Sequence, residues 1–270
     1  MVHLNRKGRV QQFNLMHDDF FAVVMQDKAA LEVALRILLQ NYELIVTDVR
    51  VQYSMRNLVG HSAILDVLAE DTTGKLYNIE VQVRNTDDYQ KRSRYYQANM
   101  DTAFFQKGKH YSELPDIYIL FITSFDIFGK NDVCYEVERN LKNYGEVVDN
   151  GVHELYFNTK ANDDSEIAGL LQYFEHTDDT VADYGALSEA VRFYKDTEER
   201  VSAMCDEVRK YGDKRAEEAA ERADAQAVVR MVSAIMRKQN CSLKEALAMT
   251  ETTMEQYIAS LTLLNMQQSA

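Results

Sequence analysis

Ile64-Leu65-Asp66-Val67-Leu68-Ala69-Glu70-Asp71-Thr72-Thr73-Gly74-Lys75-Leu76-Tyr77-Asn78-Ile79-Glu80-Val81-Gln82-Val83-Arg84 is the stretch on which the fold turns. It reads as a strand from His61 to Ala69, turn residues from Glu70 to Gly74, and a second strand from Leu76 to Arg84. The second strand alternates, with Tyr77, Ile79, Val81 and Val83 on one face and Asn78, Glu80, Gln82 and Arg84 on the other. A three-residue loop Thr72-Thr73-Gly74 closes such a hairpin, with Gly74 as its left-handed residue. In that register Asp71 faces Lys75, facing positions sum to 146, and Asp66 lies opposite Glu80.

Facing residues share a sheet face, with Cβ atoms roughly 4.5–5.5 Å apart. Two carboxylates that close repel each other in a bare strand pair. A hard divalent cation such as Mg²⁺ relieves the repulsion and takes carboxylate oxygens, a backbone carbonyl (here that of Val81) and waters. Held there, it lowers the pKa of a bound water and neutralises charge on a phosphoryl oxygen. The alternative is an ordinary solvated polar face. Against it stands the lone acid Asp66 inside an apolar run.

Around this hairpin the chain reads as an α/β unit over residues 1–160 followed by a helical extension over 161–270. An amphipathic helix is expected over Asp27–Gln40 and a strand over Glu43–Tyr53, followed by a turn at Arg56–Gly60. A basic, aromatic-rich helix is expected over Asp87–Gln106 and a buried strand over Ile117–Thr123. Tyr135–Val137 and Val152–Phe157 are shorter strand candidates. From Ser165 onward the pattern is helical, with a heptad stripe at Val201, Met204, Val208 and Tyr211 and a capping-box signal at Ser242–Glu245. One proline and ten glycines in 270 residues leave few obligatory breaks. Three scattered cysteines exclude a disulfide framework or a cysteine zinc site. No apolar run reaches membrane-spanning length, and the first thirty residues show no charged-then-apolar leader pattern, so a soluble cytoplasmic chain is expected.

The net charge of −13 argues against a nucleic-acid partner until it is divided along the chain. Residues 1–110 carry 14 Lys and Arg against 13 Asp and Glu, whereas residues 111–270 carry 16 against 30. The acidity therefore belongs to the second part. The segment from Arg84 to Lys109 is basic, and phosphate contacts are expected from it. His61, His110 and His153 are scattered and none is read as a general base.

An Asp in an apolar strand, a turn, Glu-x-Gln in the next strand and then a basic helix resembles the PD-(D/E)XK nuclease superfamily. More closely, the chain resembles the PD-(D/E)XK nuclease family transposases, relatives of the recombination-promoting nucleases. The likeness extends to Asp18-Asp19-Phe20-Phe21, Leu35-Arg36-Ile37-Leu38, Lys91-Arg92-Ser93-Arg94-Tyr95-Tyr96 and Lys107-Gly108-Lys109-His110-Tyr111 with Leu114-Pro115. Val191-Arg192-Phe193-Tyr194-Lys195 and Met204-Cys205 resemble the group's helical tail.

The resemblance implies a restriction-endonuclease-like α/β core with a mixed sheet flanked by helices, and Mg²⁺- or Mn²⁺-dependent endonuclease activity on DNA linked to transposition or recombination. It implies Asp66 and Glu80 as metal ligands, Gln82 as an orienting amide where the superfamily name has lysine, and Glu32 as a further acid from the first helix. An amide orients by hydrogen bonds but carries no charge. Arg84, Lys91, Arg92 and Arg94 are the nearest cations to supply the missing charge and to bind the DNA backbone. The missing lysine also leaves open a catalytically inactive nuclease fold that binds DNA or serves as a scaffold. A homodimer through the C-terminal helices is a further expectation, secondary to packing within one chain.

Overall fold

The computed structural model of the chain describes residues 12–55, 63–86, 88–105, 108–196, 224–225 and 227–265. The turn at 56–60, His61 and the heptad stripe at 201–211 lie outside the described residues. The chain divides into two compact units, one of residues 1–53 with 64–208 and one of residues 54–63 with 209–270. The described residues 161–196, which the sequence assigns to a helical extension, fall in the first unit.

In the first unit, helices α1 (Asp18–Met25) and α2 (Lys28–Leu38) precede strands β1 (Val46–Met55), β2 (Ala63–Asp71) and β3 (Leu76–Gln82). Helix α3 (Tyr89–Phe104) leads to β4 (Ile117–Thr123), β5 (Cys134–Val137), a small hairpin of β6 (Asn140–Leu141) and β7 (Glu146–Val147), and β8 (Val152–Asn158). Helices α4 (Glu166–Glu175) and α5 (Ala186–Asp196) follow. The main sheet has the order β1-β2-β3-β4-β8-β5, with β3, β4 and β8 parallel, β2 antiparallel to β3, and β5 antiparallel to β8. This is the mixed sheet flanked by helices that the resemblance implies. The β6–β7 hairpin, a separate two-stranded sheet, had no signal in the sequence reading.

Local chemistry explains these elements. Asp27 caps α2 by accepting the amides of Ala29 and Ala30, and Ser165 caps α4 by accepting that of Ala168. The apolar stripe of α2 (Leu31, Ala34, Leu35, Leu38) lies with Phe21, Met25, Ile79, Ile122 and Phe174, so α1, α2 and α4 cover one sheet face. The β2–β3 register pairs Val67 with Ile79 and Glu70 with Leu76, which is the expected sum of 146. Gly74 takes φ +82°, the left-handed residue that the short loop requires. Asp71 holds the same loop, accepting the Thr73 and Lys75 amides, the Thr73 hydroxyl and the Tyr77 phenol at 2.7–3.0 Å.

The second face of β3 departs from a solvated pattern. Asn78 and Glu80 are as buried as Ile79 and Val81, and α3 lies over Glu80, with Arg92 and Tyr96 at its carboxylate. Tyr89 and Tyr96 of α3 pack on Phe121 of β4, with ring centroids 5.5 and 6.4 Å apart.

In the second unit, residues 227–239 are helical and are followed by α6 (Leu243–Met249) and α7 (Met254–Asn265). Ser242 and Glu245 form the expected reciprocal capping box at the start of α6. Val232, Ala246, Leu247 and Tyr257 make this unit's buried cluster. No helix among the described residues is long and apolar enough to cross a membrane.

Candidate metal and phosphate site

The β2–β3 ladder ends at the pair Val67–Ile79. One step further the same register sets Asp66 opposite Glu80, and there the Asp66 amide donates to Glu80 Oε1 at 3.2 Å. A side-chain carboxylate therefore receives this amide just beyond the last paired residues. Both acids are buried, Asp66 to 7 % exposure and Glu80 to 1 %. Burial first, and then the neighbouring Asp66 charge, push the Glu80 carboxyl well above its ordinary value; Arg92 and hydrogen bonds from the Asp66 amide and Asn78 oppose the rise.

Helix α3 supplies the counter-charge. Arg92 places Nη2 3.4 Å from Glu80 Oε2 and Nη1 3.3 Å from the Gln82 side-chain oxygen, and it donates to the Tyr96 hydroxyl at 2.8 Å. The Tyr96 hydroxyl in turn lies 3.4 Å from Glu80 Oε2. The guanidinium also sits 5.6–5.7 Å from the ring centres of Tyr89, Tyr96 and Phe121. Tyr89, Arg92 and Tyr96 recur at helical spacing, which brings all three onto the inner face of α3. The sequence reading leaves Tyr96 undecided; its spacing from Tyr89 and Arg92 is the signal that could have joined it to them.

The expected residues do not all converge. Asp66, Glu80, Gln82 and Arg92 come together. Arg84, Lys91 and Arg94 are exposed on and just before α3. Glu32 is not brought to the pair: its carboxylate accepts the Val46 amide at 2.9 Å and pairs with Arg36 at 2.8 Å. Val46 starts β1 at the turn end of the hairpin, where Thr47 bonds the Glu70 carbonyl and Ile45 accepts the Thr72 amide. Four residues of strand, about 13 Å, separate Glu70 from Asp66. Helix α2 moreover covers the sheet face opposite Glu80. Glu32 ties a helix to a strand.

Hard oxygen donors from two buried, facing carboxylates suit a divalent cation that keeps several waters. Among the described residues no cluster of three or more His, Cys, Asp or Glu exists, so the protein's share of such a site would be two carboxylates and backbone oxygen.

A family model described as PD-(D/E)XK nuclease family transposase matches residues 22–158, just over half of the chain. The chain belongs to this family. Asp66, Glu80, Gln82 and α3 all fall within the matched part, and the PD-(D/E)XK nuclease family transposase assignment supports a nuclease- or transposase-related role. No curated protein and no solved structure matches the chain.

Proposed function

We propose that the chain is a metal-dependent DNA endonuclease, acting in transposition or recombination, that hydrolyses phosphodiester bonds at Asp66 and Glu80. The observation that carries this reading is the convergence of two buried carboxylates at the end of a strand ladder, beneath a basic helix, in a chain of this family. Asp66, Glu80 and the Val81 carbonyl would hold Mg²⁺, or Mn²⁺ in its place. The ion, when bound, supplies an activated water and neutralises charge on the phosphoryl oxygen.

The remaining roles belong to the chain. The Gln82 amide orients the water or a phosphate oxygen by hydrogen bonds. Arg84, Lys91 and Arg94 reach outward to the DNA backbone, where each contact adds affinity without sequence preference. Burial of Asp66 and Glu80 strengthens their attraction for the ion.

The test is plasmid nicking with Mg²⁺ or Mn²⁺ by the parent, Asp66→Ala and Glu80→Ala chains. Loss of nicking in both variants is expected, and nicking undiminished in both overturns the reading. Gln82, which carries no charge, favours a second reading in which the fold binds DNA or acts as a scaffold without turnover. Calorimetry with Mn²⁺ separates the two, because a silent fold has no need to hold the ion.

A further inference from the structure

We propose that Arg92 makes capture of phosphate contingent on the divalent cation, and that it matches the site to an internal phosphodiester rather than a terminal phosphate. The proposal rests on the reading that Asp66 and Glu80 hold the ion.

Aromatic packing, more than ion pairing, sets the position of Arg92. Its distances of 3.3–3.4 Å to Gln82 and Glu80 exceed the roughly 2.7–2.9 Å of a tight guanidinium–carboxylate pair. Its shortest bond, 2.8 Å, goes to a neutral phenol, and three rings surround the charge. A guanidinium has five N–H donors, more than Glu80, Gln82 and Tyr96 engage. The side chain keeps 27 % of its surface exposed beside a Glu80 side chain that keeps 2 %. It is a cation held at the mouth of a buried acid pair, with donors left for an arriving anion.

Charge balance then sets the order of events. With both carboxylates ionised, the acid pair and one guanidinium carry a single negative charge, which repels phosphate. A divalent cation on the acids reverses the sign to a single positive charge. A phosphodiester, with one negative charge, brings the site to neutrality, whereas a terminal phosphate with two overshoots it. Without Arg92 the ion-loaded acids carry no net charge, and the pull on an anion falls to what the ion's open positions supply. Ion and guanidinium are therefore both needed, and each without the other gives little.

The experiment measures duplex DNA binding by fluorescence anisotropy with and without Ca²⁺, confirming on a gel that the duplex stays intact. In the parent chain Ca²⁺ should tighten binding by about 10- to 100-fold, the worth of a charged hydrogen-bonded contact. Arg92→Gln should lose most of that gain while still binding Mn²⁺ by calorimetry. Terminal 5′-phosphates on the duplex should add nothing to the gain. If Arg92→Gln does not fold, Arg92→Lys takes its place, with a partial loss expected because an ammonium does not stack as a planar fork does. A full gain in the Arg92 variant, or a gain carried by terminal phosphates, overturns the proposal while leaving the acid pair intact. Absence of Mn²⁺ binding in the parent chain overturns both readings together.

Discussion

Glu80 is held in a place that disfavours its own charge: buried, facing Asp66, and only partly compensated by Arg92. Stability given up at a functional position is regained when the position is neutralised. Glu80→Gln should therefore raise the melting temperature in metal-free buffer at neutral pH, by about 2–4 °C per kcal/mol relieved in a domain of this size. Divalent cation should raise the melting point of the parent and leave that of Glu80→Gln nearly unchanged, by scanning calorimetry with and without Mn²⁺. An unchanged or lower melting point for Glu80→Gln would show that Arg92 compensates the charge in full. The facing of Asp66 and Glu80 was legible because a three-residue loop fixes the register, and register fixes the face. Arg92 was legible only as one of four cations, because choosing among them requires knowing which side of α3 meets the sheet. Glu32 was misread for a related reason: an acid on an amphipathic helix does not reveal which end of the neighbouring sheet it reaches.

At the scale of elements, the hairpin tip is clamped, and at the other end the β2–β3 pairing stops at Val67–Ile79, one step short of the acids. Asp71 clamps the tip. Burial works against its charge, but hydrogen bonds from Thr73, Tyr77 and the Lys75 amide hold its carboxyl below the ordinary value. A carboxylate with a lowered folded value binds fewer protons folded than unfolded, so it stabilises above the ordinary Asp value near 3.9. That contribution disappears as pH falls through the folded value. The melting temperature should fall on acidification from about pH 5 to 3, and less steeply in Asp71→Asn than in the parent. Gly74→Ala places a Cβ in open space but at φ +82°, so the cost is backbone strain alone, about 1–2 kcal/mol by denaturant unfolding. Most strands and helices were legible from periodicity and caps. The burial of Asn78 and Glu80 was not, because a polar strand face under a helix has the same alternation as one under water. The β6–β7 hairpin was not legible either, since its strands are two residues long, too short for any period.

Across the whole molecule the charge is −13, yet Arg84, Lys91 and Arg94, the proposed DNA contacts, are exposed cations. Binding to duplex DNA should then be weak in high salt and governed by a few contacts. Arg84, Lys91 and Arg94 predict a slope of log affinity against log salt of about −2.7, falling by about 0.9 for each charge replaced with glutamine. A slope unchanged by all three replacements would move the DNA to another surface. The sheet makes this small footprint workable, because β2, which carries Asp66, is paired to β3 at the edge of the parallel centre of β3, β4 and β8, and the helix packs on β4 through Tyr89 and Tyr96.

The chain holds sixteen tyrosines and no tryptophan, and one of those phenols lies 3.4 Å from the Glu80 carboxylate. A terbium ion seated on the two acids would thus have a native antenna in Tyr96, close enough to pass excitation to the lanthanide. Green luminescence excited through tyrosine, dimmed in Tyr96→Phe and quenched by competing Mg²⁺, would turn an unlabelled protein into its own gauge of occupancy.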